Sequence, residues 1–170
     1  MKDVLDGLGL EKTVLIGNSL GGWMALKFAT AYPEQVSRLV LVASSGLAQI
    51  RPQFLLDVEQ ARQSDGIVPV TPAIIGENNF PQEVLDFMNL IVESYNPIQA
   101  LPVFADEQLR QLKMPVLFID GADDVIIDAK GSAKRLSRLV PSAEIHLLAD
   151  CGHVVANSIE YIIPFLIKTA

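Results

Sequence analysis

Ser19 stands in Gly17-Asn18-Ser19-Leu20-Gly21, a glycine-x-serine-x-glycine spacing that suits a nucleophile. A serine hydroxyl attacks poorly at neutral pH, so it needs a base within hydrogen-bond reach and a third group to orient that base. The residues before it, Thr13-Val14-Leu15-Ile16, are apolar and β-branched, as in a buried parallel strand. After it, Leu20, Met24, Phe28 and Ala31 recur at helical spacing and predict a helix from Leu20 to Tyr32. Strand, tight turn and helix together make a nucleophile elbow, with strained backbone holding the Ser19 hydroxyl out at the carboxyl end of a sheet. Gly17 and Gly21 are expected to leave room for the chain to double back. At the helix N-terminus the backbone N–H of Leu20 is positioned to face a developing oxyanion. By itself the pentapeptide also fits a glycine-rich turn with an incidental serine, so the reading depends on where a base and an acid lie.

There are 2 histidines. His146, within Glu144-Ile145-His146-Leu147-Leu148, alternates with apolar residues and reads as a structural strand histidine. His153 follows that strand in Asp150-Cys151-Gly152-His153, on a loop from which an imidazole reaches across the top of a sheet. The acid is sought in Phe118-Ile119-Asp120-Gly121-Ala122-Asp123-Asp124. Met114 to Ile119 reads as another buried strand, and Gly121 ends it. Asp124 lies on the loop beyond and is preferred over Asp123, a solvated turn or capping residue. Asp120 reads as a strand-end residue bonded to backbone.

The order Ser19, Asp124, His153 places each side chain after a different strand, and on these residues the chain resembles the α/β-hydrolase fold family. Gly17 to Gly22 resembles that family's elbow. Tyr32-Pro33-Glu34-Gln35-Val36 and Leu39-Val40-Leu41-Val42 resemble its next helix end and strand. Pro115 to Asp124 and Cys151-Gly152-His153 resemble its acid and histidine loops. The resemblance implies Ser19 as nucleophile, Asp124 as acid, His153 as base and the Leu20 amide as one oxyanion donor. It also implies strands before the elbow and a loop with a second oxyanion N–H. Here only Met1 to Lys12 precede the nucleophile strand, and this segment, with Val4, Leu5, Leu8 and Leu10, reads as a single helix. The expected fold is therefore α/β: a mostly parallel sheet with flanking helices, a hydrolase core without its N-terminal strands, and an inserted helical cap.

The core is expected at 1–46 and 114–170, and the cap at 47–113. The middle stretch is punctuated by Pro52, Pro69, Pro72, Pro81, Pro97 and Pro102 and is far longer than the ~4–6 residues of an ordinary connection. The resemblance implies the same, since many members of that family carry a lid at this point. Candidates for its inner, substrate-facing side are Phe54, Leu55, Leu56, Phe80, Phe87, Met88, Leu90, Ile91 and Tyr95, although packing the cap onto the core explains each as well. Asn18 either touches substrate or shapes the turn, and Trp23 reads as helix packing. From Ala129 to Val140 a helix buries Ala129, Ala133, Leu136 and Val140, with Lys130, Lys134, Arg135 and Arg138 on a solvated face. Pro164 predicts a kink or early end in the last helix.

A chain of 170 residues, half of them hydrophobic, has a sizeable core. A net charge of −7 argues against nucleic-acid binding. No apolar run reaches the ~18 residues of a membrane span. One cysteine excludes an internal disulfide and suits a reducing cytoplasm. Glu77, Asn78 and Asn79 cluster without metal-ligand character, and no phosphate loop, dinucleotide fingerprint or metal motif is present, so no cofactor or metal is expected.

These readings converge on a serine hydrolase of a small, largely apolar ester or related acyl compound. The Asn18-Ser19-x-Gly-Gly variant also resembles relatives that cleave carbon–carbon bonds. Serine at this position argues against the family's dehalogenases and epoxide hydrolases, which use aspartate. With one oxyanion donor in hand, the chain alone is expected to be slow. The alternative is a ligand-binding or interaction module of the same fold. The nucleophile strand should form an exposed apolar edge, which favours a homodimer or oligomer unless the N-terminal helix covers it.

Overall fold

The computed structural model describes residues 1–63, 74, 80–94 and 101–168. Four parallel strands, β1 (Thr13–Asn18), β2 (Val36–Val42), β3 (Val116–Gly121) and β4 (Glu144–Leu148), pair in the order β1-β2-β3-β4. Helix α1 (Lys2–Gly7) precedes the sheet, α2 (Leu20–Ala31) follows β1, and α3 (Pro52–Gln63), α4 (Gln82–Ser94) and the short α5 (Asp106–Leu109) lie between β2 and β3. Helix α6 (Ala129–Leu139) crosses from β3 to β4, and α7 (Ile159–Ile167) ends the described fold. This is the α/β architecture expected, a parallel sheet with flanking helices.

The sequence pattern follows from burial. In the inner strands, Leu39 to Val42 and the whole of β3 are buried, and both read as continuous apolar runs because helices cover both faces. On one face Leu39, Leu41, Val116 and Phe118 pack against Leu26 and Phe28 of α2, Leu109 of α5 and Leu136 of α6. On the other, Val40, Val42, Leu117 and Ile119 meet Ile162 and Phe165 of α7, with Cys151 and Val155. Strand β1 alternates instead, and among the described residues it pairs on one side only.

Register is what positions the site. Asn18 lies beside Val42, Val42 beside Ile119, and Gly121 beside Leu148. β3 and β4 run two residues further than β1 and β2, and the loops after β1, β3 and β4 open on the same side of the parallel sheet.

Several local expectations change. Helix α2 does not bury the stripe of Leu20, Met24 and Ala31: Met24 is 53% exposed, and Gly22, Ala25, Leu26, Phe28 and Ala29 face inward. Small residues win that face because the helix lies close to β2; a Cβ on Gly22 would sit 2.3 Å from Ser44 Oγ. Pro164 lies inside α7 without ending it, since the helix continues to Ile167. Arg135 is not part of a solvated face. Its guanidinium reaches Asp106 Oδ1 at 2.7 and 2.9 Å and the Leu47 carbonyl at 2.7 Å, and it also donates to the Phe104 carbonyl. Phe104, Leu109 and Leu112 belong to the core under the sheet. The Phe104 amide donates to the Gly46 carbonyl at 2.9 Å, joining the two ends of the connection between β2 and the residues before β3.

Candidate active site

Ser19 follows β1 with φ 49° and ψ −112°, a left-handed backbone that a residue with a Cβ adopts only under constraint. The constraint is the turn itself. The Ser19 amide donates to the Val42 carbonyl at 2.9 Å, and the Ser19 carbonyl accepts from Gly22 and Trp23 at 3.1 and 3.3 Å. A Cβ on Gly17 would lie 2.3 Å from the Gly21 carbonyl oxygen, so only glycine fits beneath the turn. Gly21 has open space where its Cβ would be; the second tight glycine is Gly22. Ser19 occupies the N-cap position of α2, yet its side chain caps no amide. Its hydroxyl instead meets His153 Nε2 at 3.0 Å. The Leu20 N–H is the first amide of α2 and has no acceptor within the helix.

His153 Nδ1 lies 2.7 Å from Asp124 Oδ2. Asp124 is 1% exposed, and its Oδ1 accepts from the amides of Ile126 and Ile127 at 2.7 and 2.9 Å. The hydrogen bond and charge of His153 and these two amides hold the Asp124 carboxyl below the usual range, against the burial that would raise it. The His153 loop is fixed by Gly121, where a Cβ would sit 2.1 Å from the carbonyl oxygens of Cys151 and Gly152. It is also tied by the Asp123 amide, which donates to the Cys151 carbonyl at 3.1 Å. Ser19, His153 and Asp124 thus form one hydrogen-bonded line across three strand ends.

The sequence profile described as the alpha/beta hydrolase fold matches residues 1–85, half of the chain. The chain belongs to the α/β-hydrolase fold family. It is 30% identical to the "Uncharacterized carboxylesterase nap" of Bacillus subtilis over 91% of this chain and 55% of that protein. It is equally 30% identical to a 2-hydroxy-6-oxononadienedioate/2-hydroxy-6-oxononatrienedioate hydrolase of Paraburkholderia phymatum, over 90% of this chain and 60% of that one. The crystal structure of carboxylesterase CesB (YbfK) from Bacillus subtilis superposes with a TM-score of 0.78 at 26% identity, covering 100% of this chain and 65% of that chain. The chain therefore spans less than two thirds of the length of these hydrolases.

One residue beside this α/β-hydrolase site escaped the sequence reading. Arg51, just before α3, donates from Nε to the Asp124 carbonyl at 2.8 Å and to the Ile127 carbonyl at 3.2 Å, which pins the acid loop. Nothing local marks it, since its partners lie more than seventy positions away. Asp120 does bond to backbone, with Oδ1 accepting from the Gly121 amide at 2.8 Å, but it is also 0% exposed and lies beside Asp124.

The other named residues scatter. His146 bonds Glu144 at 3.0 Å and packs at a tilt against the Tyr161 ring, a structural role. Trp23 donates to the Pro102 carbonyl at 2.9 Å and packs on Phe104. Cys151 is buried, and burial together with the nearby carboxyls pushes its thiol up. Asn18 is exposed at the end of β1. Phe54, Phe80 and Met88 are half-buried, whereas Phe87 is 61% exposed, and Leu55, Leu56, Leu90 and Ile91 are also exposed. Tyr95 and the Glu77, Asn78, Asn79 cluster lie outside the described residues. Among the described residues no group of three or more His, Cys, Asp or Glu gathers as a metal site, and no helix is long and apolar enough to cross a membrane.

Proposed function

We propose that this chain carries a Ser19–His153–Asp124 catalytic triad and hydrolyses a small, largely apolar ester or related acyl compound. The observation that supports this most is the continuous line of contacts, 3.0 Å from Ser19 Oγ to His153 Nε2 and 2.7 Å from Nδ1 to Asp124. His153 removes the Ser19 proton as Oγ attacks the substrate carbonyl carbon. Asp124 orients the imidazole and stabilises its cation. The Leu20 N–H faces the oxyanion, and collapse expels the leaving group, which takes the proton from His153. Water, activated by the same imidazole, then releases the acyl group. The relatives' names include carboxylesterases and hydrolases of 2-hydroxy-6-oxo-dienoates, so carbon–carbon cleavage beside a carbonyl is the second substrate class for this machinery.

Within the stretch 47–113, the part that carries α3 and α4 is proposed to act as a lid over the site, with Phe54, Phe80, Phe87 and Met88, and Asn18 beside Ser19, offered to substrate. Each oxyanion donor is worth ~10²–10³ in turnover, so a second N–H beside the Leu20 amide is expected to govern how fast Ser19 acts. Assembly through the exposed β1 edge belongs to the same proposal.

Hydrolysis of short p-nitrophenyl esters by the protein and by Ser19→Ala tests the chemistry. The expected outcome is a rate above background that Ser19→Ala abolishes. Equal rates would remove the catalytic reading and leave a binding module of the same fold.

A further inference from the structure

Asp120 at the end of β3 and Asp124 on the loop that follows are both essentially inaccessible to water, and their carboxyl groups interact. Two interacting carboxylates with little solvent between them are costly to keep both ionised, which favours one shared proton. The donors decide which carboxyl holds it. Asp124 receives three hydrogen bonds, from the Ile126 and Ile127 amides and from His153. Asp120 receives one, from the Gly121 amide, and its buried Oδ2 meets no N–H or O–H among the described residues. An orphaned buried oxygen is costly; a proton on it turns it into a donor with Asp124 as its acceptor.

We propose that Asp120 is a positioning residue for the triad: a neutral carboxylic acid whose O–H is donated to the Asp124 carboxylate and holds it against His153. This rests on the Ser19–His153–Asp124 reading above. Burial first, then the charge of Asp124 and the hydrogen bond to it, push Asp120 up to about 8. The surroundings fit. Arg51 is the cation that acts against this shift, and its Nε is engaged by the Asp124 and Ile127 carbonyls. The Cys151 thiol is itself driven up by burial and by Asp120, Asp124 and Asp123, so it stays neutral. His153 Nδ1 meets Asp124 Oδ2 at 2.7 Å. When Asp120 ionises, the O–H is lost and two anions face each other beneath the imidazole. The acid loop then no longer holds its geometry.

The test is the pH dependence of Ser19 phosphonylation by a fluorophosphonate, with ¹³C-carboxyl NMR of protein labelled at aspartate. In the unaltered protein the labelling rate is expected to fall once the pH passes about 8. Asp120→Asn, whose amide still donates to Asp124 but cannot ionise, should keep most of the neutral-pH rate and lose that decline. Asp120→Leu, which has no donor, should label ~10–100-fold more slowly at all pH values. A purely structural role would not move the alkaline limb. The NMR should show one aspartate titrating far above the others and missing from Asp120→Asn, and this is read whether or not Ser19 reacts. Absence of that resonance overturns the proposal, as does an alkaline limb that survives in Asp120→Asn. A silent Ser19 with the resonance present overturns the hydrolase reading and leaves the Asp120 proton standing.

Discussion

The Ser19 backbone is held where a side-chain-bearing residue is strained, and the space for that turn comes from one particular glycine. Gly17 has backbone where its Cβ would go, within 2.3 Å of the Gly21 carbonyl oxygen and 2.6 Å of the Gly22 amide nitrogen, whereas Gly21 has nothing within 4 Å. Gly17→Ala is thus expected to destabilise the fold by about 1–3 kcal/mol and lower its melting temperature. Gly21→Ala is expected to melt with the parent. Equal losses in both variants would show that the turn is not packed as described. The pentapeptide did point to Ser19, but it credited room to both of its glycines. Which of them is crowded depends on the fold of the following helix turn, and Gly22, outside the pentapeptide, carries the second close approach, to Ser44 on another strand's end.

At the scale of elements, the strands and helices that carry the site were largely legible because their signals are local. β2 and β3 are buried apolar runs, and α6 with Val140 just after it repeats Ala129, Ala133, Leu136 and Val140 at helical spacing, all buried as the pattern implies, whereas β1, also read as a buried strand, leaves Val14 and Ile16 exposed. What joins the elements was not legible. Arg135 looks like one of four cations on the polar face of α6, yet it ties Asp106, Leu47 and Phe104 together across 29, 88 and 31 positions. Arg138 adds a second contact to Asp106 at 2.7 Å, and the two arginines hold that carboxyl below its usual range. Arg135→Ala should lower stability by about 1–3 kcal/mol, because two carbonyls and a carboxylate lose a charged donor. Lys134→Ala on the exposed face should stay within about 0.5 kcal/mol. Thermal or urea unfolding of both variants checks this, and indistinguishable curves would show that the clamp is dispensable. Arg51 escaped the sequence reading for the same reason as Arg135: a guanidinium aimed at distant carbonyls leaves no periodic trace.

At the scale of the whole molecule, apolar surface is unevenly covered. On β1, Val14 and Ile16 are 40% and 54% exposed, and on α7 Ile159, Ile163 and Ile167 are exposed at four-residue intervals. Helix α1 does not close the gap: it buries Leu5 but leaves Val4 and Leu8 in solvent. An open strand with this composition is a template for pairing. Light scattering at micromolar concentration is expected to find a dimer or larger assembly, and Ile16→Lys to shift it toward monomer. A clean monomer for the unaltered chain would remove the assembly proposal while leaving the site intact. The site was the more readable feature, because a parallel sheet sends all its carboxyl ends to one side, and three loops read separately had to meet there. The carboxyl pair was harder to see, since Asp120 and Asp124 differ only in how many donors each one meets. The measurement that bears most directly on the whole account is mass mapping of the protein after exposure to a fluorophosphonate. The expected result is a single adduct on Ser19, absent in His153→Ala. Labelling elsewhere, or of Ser19 undiminished in His153→Ala, would contradict it.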